Sequence, residues 1–200
     1  VTGSGKTEVY LRAAEEVLAA GRSVLVLLPE IALATRMGRA FAPRFGSSLA
    51  LLHSGLPRGE RHSAYGRVLS GAARMVVGAR SAVFAPMKKL GLIVVDEESE
   101  GAYKQEETPR YNARDLAVVR GRAEKAAVVL GSATPSLETQ ANASRGRYRL
   151  ARLPERIDGR KLPSVRLVDL RQHMGRETFL SFPLREAIRL RLERKDQIIL

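Results

Sequence analysis

Along the chain, short unbroken apolar runs alternate with longer stretches in which apolar positions recur every three to four residues. The runs at 23–28, 48–52, 75–78, 92–96 and 127–130 are rich in Val, Leu and Ile and lack polar alternation. That is the pattern of parallel strands covered on both faces. Between them, 6–20, 33–45, 58–70, 113–123 and 137–142 carry helical periodicity, and Gly21 stands where a helix C-terminus is commonly closed. Strand–helix alternation of this kind predicts an α/β fold with a mainly parallel, doubly wound sheet over residues 1–150. Beyond 150 the pattern loosens. A basic stretch rich in Gly and Pro leads to a strand candidate at 165–170, a helix at 183–195 and a terminal apolar run at 197–200. Residues 151–200 therefore read as a basic linker and the beginning of a second lobe.

Two sequence features add chemistry to this frame. Gly3-Ser4-Gly5-Lys6-Thr7 opens the first helical pattern. Glycines there let successive backbone N–H groups converge on phosphate oxygens, and the helix N-terminus adds its positive end. In such a loop Lys6 reaches the β- and γ-phosphates of a nucleotide and the Thr7 hydroxyl ligates Mg2+. Ninety residues on, the run at 92–96 ends in Asp96-Glu97, which sets two carboxylates at the C-terminal edge of a parallel sheet, where ligands of such sheets bind. Asp96 is expected to hold Mg2+ and Glu97 to orient or deprotonate the attacking water. Small hydroxyl residues at Ser132 and Thr134 follow the next apolar run, placed to bond the neighbouring carboxylate and sense the γ-phosphate; Ser136 is a candidate helix cap.

Composition narrows the classes. There is no Cys, which excludes thiol catalysis and disulfide frameworks, and three His at 53, 62 and 173 are too dispersed for a histidine metal cage. No apolar run approaches the ~20 residues that span a bilayer, and no basic-then-apolar signal segment opens the chain. The net charge is +13, with +4 over residues 1–100 and +9 over 101–200. Such an excess suits a polyanionic partner such as nucleic acid; a bias toward Arg in the genome's composition also produces it. Tyr103, Lys104, Arg110, Tyr111 and Arg114 lie within twelve residues just after the carboxylates. Rings that stack on bases beside cations that meet phosphate form a sequence-tolerant single-strand site; packing of the two tyrosines against their own loop is the competing reading. For the nine cations and three acids of 145–171, a solvated linker and a DNA-tracking surface both stand.

The order GSGKT, DE, SAT resembles superfamily 2 helicase lobes, built on a RecA-like P-loop NTPase fold. The segments VTGSGKTEVY, LLPEIALA, LLHSG, VVGARSAVFAP, VDEESEGAYKQEETPRYNARDLAVVR and LGSATPSLET more closely resemble the primosomal replication-restart helicases of the PriA family, to about residue 153 and loosely beyond. That resemblance implies an ATP- and Mg2+-dependent DNA helicase acting in the cytoplasm on forked or single-stranded DNA with other primosome or replication proteins. It assigns residues 29–31, 53–55 and 78–81, Arg80 among them, to the DNA-facing edge, and 103–114 to a loop coupling DNA to hydrolysis. It also identifies departures: Ser99 and Asn112 stand where His is usual, and Pro109 where an aromatic residue is usual. Ser99, with Ser132 and Thr134, would couple the carboxylates to motion, and the short Ser99 side chain is expected to need a bridging water to reach Ser132. The first glycine of a full phosphate loop falls one residue before Val1, and the chain ends inside an apolar run, so an excerpt of a longer protein is expected. A nucleotide-dependent DNA-structure-binding module with little turnover and a P-loop kinase are the alternative classes; the SAT turn argues against the second.

Overall fold

A computed structural model describes residues 3–157, 159, 164–173 and 179–200. The chain divides into two compact units, Val1–Gly159 and Arg160–Leu200. In the first, five strands form one parallel sheet: β1 (Ser23–Leu27), β2 (Leu49–Leu52), β3 (Met75–Gly78), β4 (Leu90–Asp96) and, after a short hairpin, β7 (Ala127–Gly131). Their order is β2-β3-β1-β4-β7. The hairpin pairs β5 (Lys104–Gln105) antiparallel with β6 (Tyr111–Asn112).

Alternation along each strand divides the core in two. Val24, Val26, Met75, Val77, Leu92 and Val94 face α1 (Lys6–Ala19) and α2 (Ile31–Phe45), meeting Tyr10, Ala14 and Phe41. Leu25, Leu27, Val76, Ile93 and Val95 face the other way, toward α3 (Arg58–Ser70) and α4 (Ala113–Glu124), through Val68, Ala113 and Ala117. This is a doubly wound sheet, and each of its strands except β7 is almost wholly buried. β7 lies at the sheet edge, and its first four residues are exposed or half-buried although all are apolar.

The last helix of this unit, α5 (Leu137–Ser144), is capped by Ser136, whose hydroxyl accepts the Thr139 N–H at 3.2 Å. The second unit contains α6 (Leu170–His173) and α7 (Phe182–Glu193). The strand expected at 165–170 is absent: 164–169 have no regular structure and Leu170 begins a helix. Val165 and Leu167 are 84% and 94% exposed, so these apolar side chains cover no core face among the described residues. Residues 158 and 160–163 of the basic stretch lie outside the described residues. No helix among those described is long and apolar enough to cross a membrane.

Candidate nucleotide and nucleic-acid site

The phosphate-loop residues enter α1 through two left-handed glycines, Gly3 (φ 78°) and Gly5 (φ 89°). A side chain at either would be strained. The loop meets the C-terminal end of β4. Lys6 Nζ donates to Glu97 Oε1 at 2.6 Å and lies 3.9 Å from Asp96 Oδ1. Glu97 itself is left-handed (φ 46°), a conformation costly for a residue with a Cβ; the chain reverses immediately after β4 and its carboxylate stays within reach of the loop. Asp96, the last residue of β4, pairs in register with Gly131 of β7.

Three side chains that sequence reasoning passed over complete this arrangement. Tyr10, one turn after Lys6 on the same face of α1, is 3% exposed and donates its hydroxyl hydrogen to Asp96 Oδ1 at 2.9 Å. The only hint in the sequence was a polar tip within an apolar i, i+4 stripe. Its ring fills the space beside Gly131, so a side chain at that position would collide with the Tyr10 hydroxyl. Glu98 is the second. Its side chain is fully buried and accepts from Ser136 N (2.7 Å), Ser136 Oγ (3.1 Å), Thr139 Oγ1 (3.0 Å) and Arg114 Nη1 (3.3 Å). The third is Ile157, whose N–H donates to the Gly3 carbonyl at 3.1 Å and whose side chain lies against Gly5.

Burial raises the Asp96 pKa above its ordinary 3.8, and the Tyr10 hydrogen bond and the Lys6 charge pull the other way. Because the folded-state value is the higher one, ionised Asp96 opposes folding above pH 3.8, and that cost is relieved as pH falls through the raised value. Tyr10→Phe removes the hydrogen bond that favours the ionised form. For Asp96 in the Mg2+-holding role expected from the sequence, the acid limb of ATP turnover by the complete protein would therefore move to higher pH, with Mg2+ affinity or turnover down roughly 10–100-fold, as for partners that orient a metal ligand. A pH–rate profile at two Mg2+ concentrations measures this; an unmoved acid limb would reject the role given to Tyr10.

Ser132 joins the carboxylate motif to the turn after β7. Its Oγ lies 3.5 Å from Glu97 Oε2, accepts the Thr134 N–H at 3.0 Å and lies 3.2 Å from Ser99 Oγ. The expected bridging water is thus unnecessary: Ser99 reaches Ser132 directly, because the turn after β4 brings the two hydroxyls together.

The aromatic segment divides. Tyr103 is a core residue, 0% exposed, with its hydroxyl 3.0 Å from the Leu27 carbonyl and 2.6 Å from that of Asp96. It cannot stack on a base, which corrects the sequence expectation. Arg114 is corrected as well: its side chain is 16% exposed and points inward to Glu98 and Ser136, with Asp115 beside it. Lys104 and Arg110 are exposed on the hairpin, and Tyr111 is half-buried with its ring edge-on to Phe84 at 5.0 Å. Arg80 Nη1 donates to the Ala102 and Lys104 carbonyls, fastening the start of the hairpin to the sheet edge. Asn112 caps α4 by accepting the Arg114 N–H at 2.9 Å, a use that Asn serves well. His53 is buried at the end of β2, which lowers its pKa and suits a structural imidazole. No group of three or more His, Asp or Glu among the described residues is arranged to hold a metal by itself.

The residues fit Mg-nucleotide on observations of this structure. Gly3 has open space where a side chain would stand, Ser4 Oγ is buried without a partner among the described residues, and the Lys6 ammonium and Asp96 carboxylate converge beside the loop.

The family described as DEAD/DEAH box helicase matches residues 1–143. The chain is 46% identical over 202 residues to the replication restart protein PriA of Bacillus subtilis, a match covering 100% of this chain and 25% of that protein. It is 42% identical over 201 residues to PriA of Rickettsia felis, covering 100% of this chain and 31% of that one. The chain thus spans 25% to 31% of the length of these curated relatives. Among solved structures it is similar to RecG bound to a three-way DNA junction, with TM-score 0.52 at 24% identity over 72% of this chain and 18% of that one. It is also similar to Mss116p bound to ssRNA and AMP-PNP, with TM-score 0.50 at 15% identity over 72% and 32%. At these identities the structural likeness concerns the fold.

Proposed function

The chain belongs to the DEAD/DEAH box helicase family, and from that premise we propose that it is the first motor lobe of an ATP-driven DNA helicase of replication restart. The observation that carries this reading is the continuous path from Lys6 through Glu97 to Ser132 and Ser99. It joins the phosphate loop to the two turns that a motor must move.

In the proposed mechanism the phosphates of ATP lie against the backbone N–H groups of Gly3, Ser4, Gly5, Lys6 and Thr7, and draw the Lys6 ammonium from Glu97. Glu97, freed of that partner, accepts a proton from the water whose oxygen attacks the γ-phosphorus as the bond to the ADP oxygen breaks. Thr7 and Asp96 would hold Mg2+, which would supply positive charge to offset that of the phosphates. Ser132, Ser99 and Thr134 transmit the change at Glu97 to the turn after β7. The direct Ser99–Ser132 contact restores the link whose loss would have favoured a binding module with little turnover. The domain reading of residues 1–150 as this lobe and 151–200 as linker and second-lobe start is part of the same proposal, as are a cytoplasmic location and partnership with DNA and other replication proteins.

On the DNA side, Lys104, Arg110 and Tyr111 form the outward part of the coupling hairpin, with Arg80 at its base. Tyr111→Ala in the complete helicase is expected to cost on the order of 1–3 kcal/mol of single-strand affinity and to abolish stimulation of ATP turnover by DNA, with basal turnover intact. Wild-type stimulation in the variant would overturn the coupling role.

A further inference from the structure

Tyr103 is the largest fully buried side chain among the described residues. Its ring belongs to the core cluster of Leu27, Ile93, Val95 and Ala113, and Phe would fill that place equally well. The hydroxyl is a different matter. It carries one hydrogen and lies between two carbonyls, that of Asp96 at 2.6 Å and that of Leu27 at 3.0 Å. Leu27 and Asp96 are the last residues of β1 and β4, which are neighbours in the sheet. The hydroxyl therefore ties two strand ends together directly below the carboxylate pair. Two consecutive turns bring the chain back to this point: the Glu100 N–H donates to the Glu97 carbonyl at 3.0 Å, and the Tyr103 N–H to the Glu100 carbonyl at 3.3 Å. Arg80 Nη1 then holds the main chain on either side of Tyr103, through the carbonyls of Ala102 at 3.2 Å and Lys104 at 2.7 Å.

The consequence falls on Glu97. Its left-handed backbone (φ 46°) is a conformation that persists only where the surroundings over-determine it. The Asp96 carbonyl belongs to the peptide plane before Glu97, and the Glu98 N–H to the plane after it. Tyr103 holds the first, and the Gly131 carbonyl accepts the second at 3.0 Å. With both planes tied, the Cα–Cβ bond of Glu97 has one direction, which sends its carboxylate toward Lys6 and Ser132. We propose that Tyr103 is a positioning residue for ATP hydrolysis: its hydroxyl fixes the peptide before Glu97 and so aims the Glu97 carboxylate at the attacking water. The proposal rests on the helicase reading above and adds to it a buried group that touches neither nucleotide nor DNA. Core packing accounts for the ring of Tyr103 and leaves its two carbonyl contacts unexplained. Tyr10 acts on the Asp96 carboxylate and Tyr103 on the Asp96 main chain, so the two tyrosines fail differently when altered.

The test is Tyr103→Phe in the complete helicase, which keeps the ring and removes only the hydroxyl. Steady-state ATP turnover is measured across pH, well below the variant's melting temperature, together with single-turnover hydrolysis alone and combined with Glu97→Gln. Melting is expected to fall by a few degrees, as for one lost buried hydrogen bond. The kcat is expected to fall about 10- to 100-fold, the scale of a misplaced reacting group, with KM for ATP near the parent's. Because a carbonyl does not titrate, the acid limb stays where the parent has it, unlike that of Tyr10→Phe. In the Glu97→Gln background, Tyr103→Phe is expected to add little, since no carboxylate is left to aim. Parent-like kcat in Tyr103→Phe would overturn the proposal. So would a loss that adds in full to that of Glu97→Gln, or one carried by KM, because either marks a general structural defect. Glu97→Gln alone separates the two readings. If it loses hydrolysis while Tyr103→Phe turns over like the parent, the helicase reading stands and the positioning role fails; if it hydrolyses ATP like the parent, the role given to Glu97 fails and the positioning role with it.

Discussion

Lys6→Ala in the complete helicase is expected to abolish measurable ATP turnover, and Glu97→Gln to lower it by about 10²–10⁴-fold while nucleotide binding persists. The two residues are bonded to each other at 2.6 Å, yet they are expected to fail differently. Lys6 supplies the one side-chain cation of the loop, so its removal leaves the β- and γ-phosphates with backbone dipoles alone; losing one preorganised electrostatic contact typically costs about 10²–10³ in turnover. It also leaves Glu97 without its positive partner beside incoming phosphate, which weakens binding further. Gln at 97 has nearly the shape of Glu and still accepts from Ser132, but it cannot take a proton from water. It also removes the carboxylate that competes with phosphate for Lys6, so affinity is expected to hold or rise. Single-turnover hydrolysis with binding of a fluorescent nucleotide separates the two effects. Wild-type hydrolysis by Glu97→Gln would remove Glu97 from the chemistry.

Glu98→Ala is expected to destabilise the protein by about 3 kcal/mol, at the lower end of what breaking a buried ion pair costs. Four hydrogen bonds end on this carboxylate, from Ser136 N, Ser136 Oγ, Thr139 Oγ1 and Arg114 Nη1. Removing it orphans the cap of α5 and leaves Arg114, 16% exposed, beside a void. Arg114 keeps Asp115 at 2.8 Å, which places the effect at the lower end. At roughly 2–4 °C per kcal/mol for a domain of this size, melting should fall by about 6–12 °C. Arg114→Met should cost less on its own, since neutral donors still satisfy Glu98. A Glu98→Ala/Arg114→Met double variant should lose less than the sum of the singles, because each single change already removes the same contact. Additive losses would show that Glu98 and Arg114 act independently.

The five strands of the parallel sheet and the five α-helices of the first unit were legible in the chain to within a few residues, α3 to the residue, whereas the hairpin of β5 and β6 was not anticipated. Their signal is local. A strand buried on both faces must be apolar throughout, and a helix packed on a sheet must repeat every three to four residues, whatever lies elsewhere. That Gly3–Thr7 and Asp96-Glu97 belong to one candidate site was legible for a related reason: the phosphate binding and proton transfer proposed for them each demand particular residue types within a few positions. The strand anticipated at 165–170 shows the limit of local pattern, since a strand exists only where another pairs with it.

Other assignments required chain segments far apart in sequence to be brought together. Tyr10 meets Asp96 across 86 positions and Ser136 meets Glu98 across 38, and no spacing rule reaches that far. Tyr103 and Arg114 are of residue types that serve equally at a DNA surface or inside a protein. Their neighbours turned them inward: the β1 and β4 carbonyls offered Tyr103 acceptors in the core, and buried Glu98 required a cation. Tyr65, Arg58 and Arg61 show the converse. They share the helix face that ends in buried Val68, and they line a cleft because the end of β2 and the turn after β3 stand opposite them. Periodicity and reactive residue types are properties of short segments, whereas burial, pairing and enclosure belong to surfaces that exist only once the segments have met.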